Sequence, residues 1–359
     1  MRPATWLTIA FALCLPLAAQ AQLLVPRYAH SATLLPGGEV LVYGGLGPGD
    51  GFMLGTELGP PGAPAWGPRN HRARAFHTAT ALGDGTVLIA GGFILPYSTS
   101  RTAELFDGWR FVFLESRMSA PRELHSATLL GDGRVLIAGG FVGGVTSVAS
   151  CDLYDPAARR FALAAPMAQS RYGHAACRLA DGRVLITGGT QFPDERTINA
   201  AEVFDPAAGT FAPVGEMLAD RSRHTATLLP DGRVLIAGGN SIAAGRQLAS
   251  TESFDPVSGT FAPGPEMAEA RMDHTATALP DGRVLITGGF SAEGGPHTLD
   301  SCEVFDPATG RFEPAGRLPR PVHEHRATLL PSGEVLITGG MIVEGQRRAV
   351  VTETAVIRP

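Results

Sequence analysis

Three features of the sequence predict an all-β chain folded as a seven-bladed β-propeller, with four-stranded blades and an N-terminal strand that closes the last one. A single short sentence, typified by RHTATLLPDGRVLIAGG at 223–239, recurs seven times. Its inner spacing is fixed while its outer spacing drifts. No helical period runs through the chain beyond its first 21 residues. A four-strand unit repeated about every 50 residues cannot bury its own faces, so its copies must stack, and a ring of copies removes the open ends.

The first element is a leader. MRPATWLTIAFALCLPLAAQAQ carries one charge at Arg2, an apolar stretch from Trp6 to Leu17 and small residues up to Ala21. This is the pattern of a secretory signal peptide cleaved after Ala21, and it predicts a secreted or periplasmic chain. The apolar stretch falls short of the roughly 20 residues a spanning helix needs, and no second candidate span follows. Residues 22–359 then form the propeller.

The repeat is anchored by His30, His77, His125, His174, His224, His274 and His325, separated by 47 to 51 residues. From each histidine to the first glycine of the next GG pair the distance is always 14. Within a unit, HTATLL reads as a first strand, the DG of LPDGRV as a tight turn and VLIAGG as a second strand. AEVFDP (201–206) reads as a third strand, Asp-Pro begins another turn, and TFAPVGEM (210–217) reads as a fourth. The seventh unit stops at its third strand, VTETAVIRP, and Gln22–Pro26 stands where a fourth strand would complete it. That latch would leave no unpaired blade edge at the ring's junction.

Composition narrows the partners. The chain has 29 arginines and no lysine against 34 acids, a net charge of −5, or −6 once the leader is removed. With no basic cluster, nucleic acid is excluded as a partner. Past the leader only Cys151, Cys177 and Cys302 remain, which allows at most one bridge. Cys151 and Cys302 occupy a slot that holds Ala or Thr in other repeats, as small buried hydrophobes do; whether any two pair is open.

Residues that recur in every unit are read as scaffold. Only another strand follows the GG pairs, so they are not phosphate loops; backbone crowding is the reason for glycine there. Arg27, Arg74, Arg122, Arg171, Arg221 and Arg271 each stand three residues before a histidine, with Val322 in the seventh slot. Glu57, Glu104, Asp152, Glu202, Glu252, Glu303 and Glu353 recur on the third strand. Guanidinium and carboxylate in register predict ion pairs within or between blades. The seven histidines stand too far apart to converge on one metal at about 2.0 Å and are expected to bond adjacent blades.

The pattern R-x-x-H-[ST]-A, an apolar strand ending in GG, then acid, aromatic and Asp-Pro, resembles the kelch-repeat family over residues 22–359, in the manner of the repeats in the galactose oxidase central domain. The family's Tyr and Trp positions mostly hold Phe here, as at Phe204 and Phe211. Galactose oxidase relatives carry copper on Tyr and His with a Cys–Tyr crosslink. This chain has five tyrosines and no Tyr-His dipeptide, so no metal and no cofactor are expected.

In an up-and-down blade the non-repeating loops emerge on one face: 46–55, 93–101, 141–150, 190–200, 240–250, 290–300 and 341–350. Two free positions lie between each arginine slot and its histidine. They place Tyr28, Phe76, Leu124 and Tyr172 on an aromatic and apolar arc of the mouth, and Arg223, Asp273, His323 and Glu324 on a charged one; Tyr97 adds an aromatic from the second loop. These nine are the expected binding residues, and none is expected to be catalytic. The expected function is a monomeric, non-catalytic scaffold that binds a protein or carbohydrate on this face. The alternative is a carbohydrate-active enzyme like the sialic acid mutarotase, in which Glu324, His323, Asp273 and Arg223 would supply proton transfer and anion recognition.

Overall fold

The structure is a computed structural model that describes residues 22–359, and the leader expected over 1–21 lies outside the described residues. It is all β, with no α-helix among the described residues. Six four-stranded antiparallel blades follow one another along the chain, and a further four-stranded sheet is built from the loop hairpins of the sixth and seventh blades. In the fourth blade, Ala175–Arg178, Val184–Thr187, Ala201–Asp205 and Thr210–Pro213 lie side by side in sequence order. The seventh blade has three strands of its own, Arg326–Leu329, Val335–Thr338 and Thr354–Ile357. Its fourth is supplied by the N-terminal segment through the single bridge Gln22 to Glu353, where the Leu23 amide donates to the Thr352 carbonyl at 2.7 Å. The latch is thus one bridge wide, and Leu23 secures it by packing on Leu330 and Leu336.

Every second strand is buried along its whole length, as in Val184–Thr187 and Val234–Ala237. The reason is that alternate side chains enter different seams. Val184 and Ile186 pack on Leu136 and Cys151 of the third blade, whereas Leu185 packs on Val234 and Phe254 of the fifth. The free thiols of Cys151, Cys177 and Cys302 are buried in these seams.

The repeated arginines are fully buried, and their ion pairs lie within a blade. Arg221 Nη2 donates to Glu252 Oε1 at 2.7 Å and its Nη1 to the Gly238 carbonyl at 2.7 Å. The other Glu252 oxygen accepts the Leu218 amide at 2.7 Å, so each carboxylate also ties down the chain entering its blade. In the first blade the corresponding amide is that of Leu24, held by Glu57 at 2.8 Å, which fastens the N-terminal segment. The seventh blade differs. Val322 fills a hydrophobic seam, and Glu353 pairs instead with Arg320 at 2.5 Å.

The histidines join neighbouring blades. His77 bonds Ser31, His125 bonds Thr78, His174 bonds Ser126, His224 bonds Thr187, His274 bonds Thr225 and His325 bonds both Thr275 and Thr287. His30 bonds Thr338 at 3.1 Å across the closure. Burial holds His77, His174, His274 and His325 at about 3, and pushes His30, His125 and His224 well below the usual imidazole value.

Two outcomes follow from this scaffold. Arg221→Ala leaves a buried carboxylate short of its counter-ion and should cost about 3–5 kcal/mol. Replacing both partners, Arg221→Val with Glu252→Leu, should recover most of that loss; an unchanged urea midpoint in the single variant would refute the pairing. The neutral histidines take up protons only on unfolding when the pH lies between about 3 and 6.5. The stability they contribute is therefore lost as pH falls through that window. His174→Gln should make the urea midpoint fall less steeply from pH 6.5 to pH 4 than in the unmodified chain.

Candidate functional site

The residue just before each repeated histidine has a left-handed backbone: Ala29, Phe76, Leu124, Gly173, Arg223, Asp273 and Glu324, with φ from 51° to 60°. Only glycine adopts this freely, so six of the seven store strain. A closed ring of backbone bonds holds them. The Phe76 amide donates to Ala29 at 3.0 Å, Leu124 to Phe76 at 3.1 Å, Gly173 to Leu124 at 3.0 Å and Arg223 to Gly173 at 2.7 Å. Asp273 donates to Arg223 at 3.2 Å, Glu324 to Asp273 at 3.2 Å, and Ala29 to Glu324 at 3.4 Å. These seven residues thereby line a central well of about 260 Å³, six of them with side chains. Its first arc is small or apolar and its second is charged.

In the charged arc, Arg223 Nη1 bonds Asp273 Oδ2 at 3.0 Å and Glu324 Oε1 at 3.3 Å. Glu324 Oε2 is buried and has no hydrogen-bond partner. Burial first, and the neighbouring Asp273 charge second, push the Glu324 carboxyl up to about 7, against the pull of Arg223 and Arg326. Asp273 in turn holds the Arg223 guanidinium firmly charged. Arg326 also lines the well, donating to the His30 carbonyl at 2.8 Å. A second cavity of about 530 Å³ opens between the loops of the sixth and seventh blades and shares Arg223, Asp273 and Glu324 with the well.

Of the residues singled out from sequence, Phe76, Leu124, Arg223, Asp273 and Glu324 lie together in the well. His323 lines the adjoining cavity, its ring 5.7 Å from Phe290. Tyr28 and Tyr172 stand one residue earlier, where the backbone pairs with the loops at Leu46 and Thr190. The Tyr28 hydroxyl donates to Asp50 at 2.5 Å, and Tyr172 packs on Phe141 at 4.7 Å. Tyr97 is 75% exposed beside Phe52 and Phe93, outside the well. Ala29, Gly173 and Arg326 were not singled out. Arg326 had a signal, since it stands where five other units carry Ser or Thr after the histidine.

No protein-family model and no curated protein matches the chain. Among solved structures it is similar to a fungal alcohol oxidase of the AA5 family in complex with copper, at 17% identity and a TM-score of 0.73. The match covers 95% of this chain and 76% of that one. At this identity the likeness shows a shared fold, a β-propeller of the galactose oxidase kind. It nonetheless overturns the expectation of a non-catalytic binding scaffold, because the protein that shares the architecture is an enzyme; the mutarotase alternative gains no support either.

Copper does not fit the residues present. Each ring histidine spends Nε2 on a hydroxyl of the adjacent blade, and its Nδ1 is buried. The thiols are buried in separate seams. Among the described residues no group of three or more His, Cys, Asp or Glu side chains is placed to hold a metal ion.

The Glu324 carboxyl has a folded pKa of about 7 against an ordinary 4.5. Between these values the native state keeps a proton that the unfolded chain has released, so stability falls as pH rises through the window. Glu324→Gln removes the effect. Relative to that variant, the unmodified chain should lose stability from pH 4.5 to pH 7, with a level difference below pH 4.5; a constant difference throughout would contradict the assignment.

Proposed function

We propose that the chain is an enzyme whose active site is the central well, and that it interconverts small α-hydroxy carbonyl compounds: Glu324 takes the proton from the hydroxyl-bearing carbon beside the carbonyl and returns it to the former carbonyl carbon, while the hydroxyl proton passes to the carbonyl oxygen, so that no oxidant is consumed. One observation carries this reading: a buried carboxyl oxygen, Glu324 Oε2, has no protein partner and belongs to a group that titrates near neutrality. A group with that pKa takes or gives a proton at working pH with little penalty either way. A hydroxyl is what such an oxygen would accept a hydrogen bond from, and the alcohol oxidase that shares the fold supports a hydroxyl-bearing substrate.

Arg223 positions the carboxylate through Oε1 and leaves Oε2 to the substrate. As the proton arrives, the guanidinium keeps Asp273 as a partner, so it never becomes a buried unpaired charge. Phe76 and Leu124 across the well exclude water from the substrate's apolar side. Copper has no part in this reading, because no set of three ligands is placed to hold it among the described residues.

The finer reading of the repeat belongs with this proposal. The R-x-x-H-[ST]-A and GG pattern supports a kelch-type unit, and the apolar leader with small residues before Gln22 supports export. No helix among the described residues is long and apolar enough to cross a membrane.

The test is a panel of small α-hydroxy aldehydes and ketones incubated with the protein in D₂O and followed by proton NMR. Turnover or C–H exchange should persist after chelation of metals. Glu324→Gln should lower kcat about 10²–10⁴-fold with KM little changed. Turnover that requires added copper, or that survives Glu324→Gln, would overturn the reading.

A further inference from the structure

The hairpin Met341–Glu344 and Arg347–Val350 of the seventh blade pairs Met341 with Val350 and Val343 with Arg348. Residues paired across an antiparallel ladder share a face, and faces alternate along a strand. Met341, Val343, Arg348 and Val350 therefore share one side, and Ile342, Glu344, Arg347 and Ala349 the other. The first side borders the 530 Å³ cavity, which Met341, Val343 and Arg348 line together with Met272, Phe290 and His323. Ile342 on the second side packs into the seam between the sixth and seventh blades.

Arg348 is exposed and makes no hydrogen bond or ion pair among the described residues. This sets it apart from Arg223 beside it, which already serves two carboxylates. Its field reaches the site: burial is what chiefly lowers the pKa of His323, and Arg223 and Arg348 add to it. The cavity is thus lined by the apolar side chains of Met272, Phe290, Met341 and Val343, by the uncommitted guanidinium of Arg348 and by Glu324.

We infer that this cavity receives the far end of the substrate, and that the substrate is an amphipathic monoanion whose carboxylate pairs with Arg348 while its apolar stem lies on the methionine and phenylalanine wall. The inference rests on the reading of Glu324 as the reacting end. A guanidinium offers two parallel donors that match a carboxylate. A doubly charged head such as phosphate is disfavoured, because Asp273 and Glu324 border the same cavity and one free cation does not offset them.

The probes are 4-phenylbutyrate and 4-phenyl-1-butanol, which share the apolar stem and differ in the charged head. They are titrated into the full chain at pH 7.5 and low salt, with affinity read from NMR shift changes. The acid should bind about tenfold more tightly than the alcohol, as one charge-assisted contact implies. Arg348→Gln should abolish that preference without weakening the alcohol. Arg347→Gln, on the opposite side of the hairpin, should leave it intact. Equal binding of the two probes, binding of neither, or a preference that survives Arg348→Gln would overturn the inference. Glu324→Gln separates the two proposals: it should retain the acid preference while losing turnover. If Glu324→Gln abolishes turnover but the acid shows no preference, the subsite fails and the proton-transfer reading stands.

Discussion

The constraint on which this structure depends is the seam between one blade and the next. Three bonds recur at every seam and each series closes on itself. The second glycine of each GG pair donates its amide to the carbonyl three residues before the next histidine, from Gly45 to Arg74 at 2.7 Å through to Gly340 and Arg27 at 2.8 Å. The histidine bonds a hydroxyl of its neighbour, and the left-handed residue before it bonds the equivalent residue of the adjacent blade. Glycine is required because nothing else fits: a Cβ on Gly238 would lie 2.5 Å from the Arg271 carbonyl and 2.8 Å from the His274 ring. Crowding here is what lets the blades approach closely enough for all three bonds to form.

The same seam explains why chemistry can differ between blades of one design. The innermost ring is made by main-chain atoms alone, so it imposes a backbone angle and no side chain. Its seven positions can hold Ala, Phe, Leu, Gly, Arg, Asp and Glu without disturbing the fold. Repetition supplies a rigid circle, and the absence of repetition at one position per blade supplies the site. Strain at six of these residues is balanced by bonds whose partners cannot move independently, because each partner is itself a member of the ring.

Much of this was legible in the sequence, because scaffold residues recur and recurrence exposes their role. The interval of 14 residues from His224 to Gly238 marked the paired first and second strands, and the register of Arg221 with Glu252 marked the buried ion pair. The two free positions before each histidine were harder. Sequence treats Tyr172 and Gly173 as equivalent neighbours, yet the backbone turns between them, sending one toward the loops and the other to the axis. A positive φ at Phe76 or Glu324 leaves no mark on residue type, since it is imposed by the ring and not chosen locally. Arg348 was illegible for a different reason: its role depends on which side of a hairpin it occupies, and that is set by the pairing of Val343 with Arg348 in a loop of unique sequence.

The loop hairpins form a second, outer circle, and it is incomplete. At one matching position in the second to sixth blades a polar side chain bonds the backbone of the next hairpin: Thr99 to Gly143, Ser147 to Phe192, Thr197 to Ile242, Gln247 to Ala292 and Thr298 to Val343. The matching residues of the seventh and first blades are Val350 and Phe52, which can make no such bond and instead pack together with Tyr28, Phe76 and Met341. The seventh hairpin is consequently fastened to the sixth and only apposed to the first. Its inner side carries Arg348, and the cavity beside it opens into the well where Glu324 stands. Thus the rim is rigid on the side that must hold the wall of the cavity in register with the charged arc. It is held by apolar contact alone where the circle breaks, at the blade whose own closure is a single bridge to the N-terminal segment.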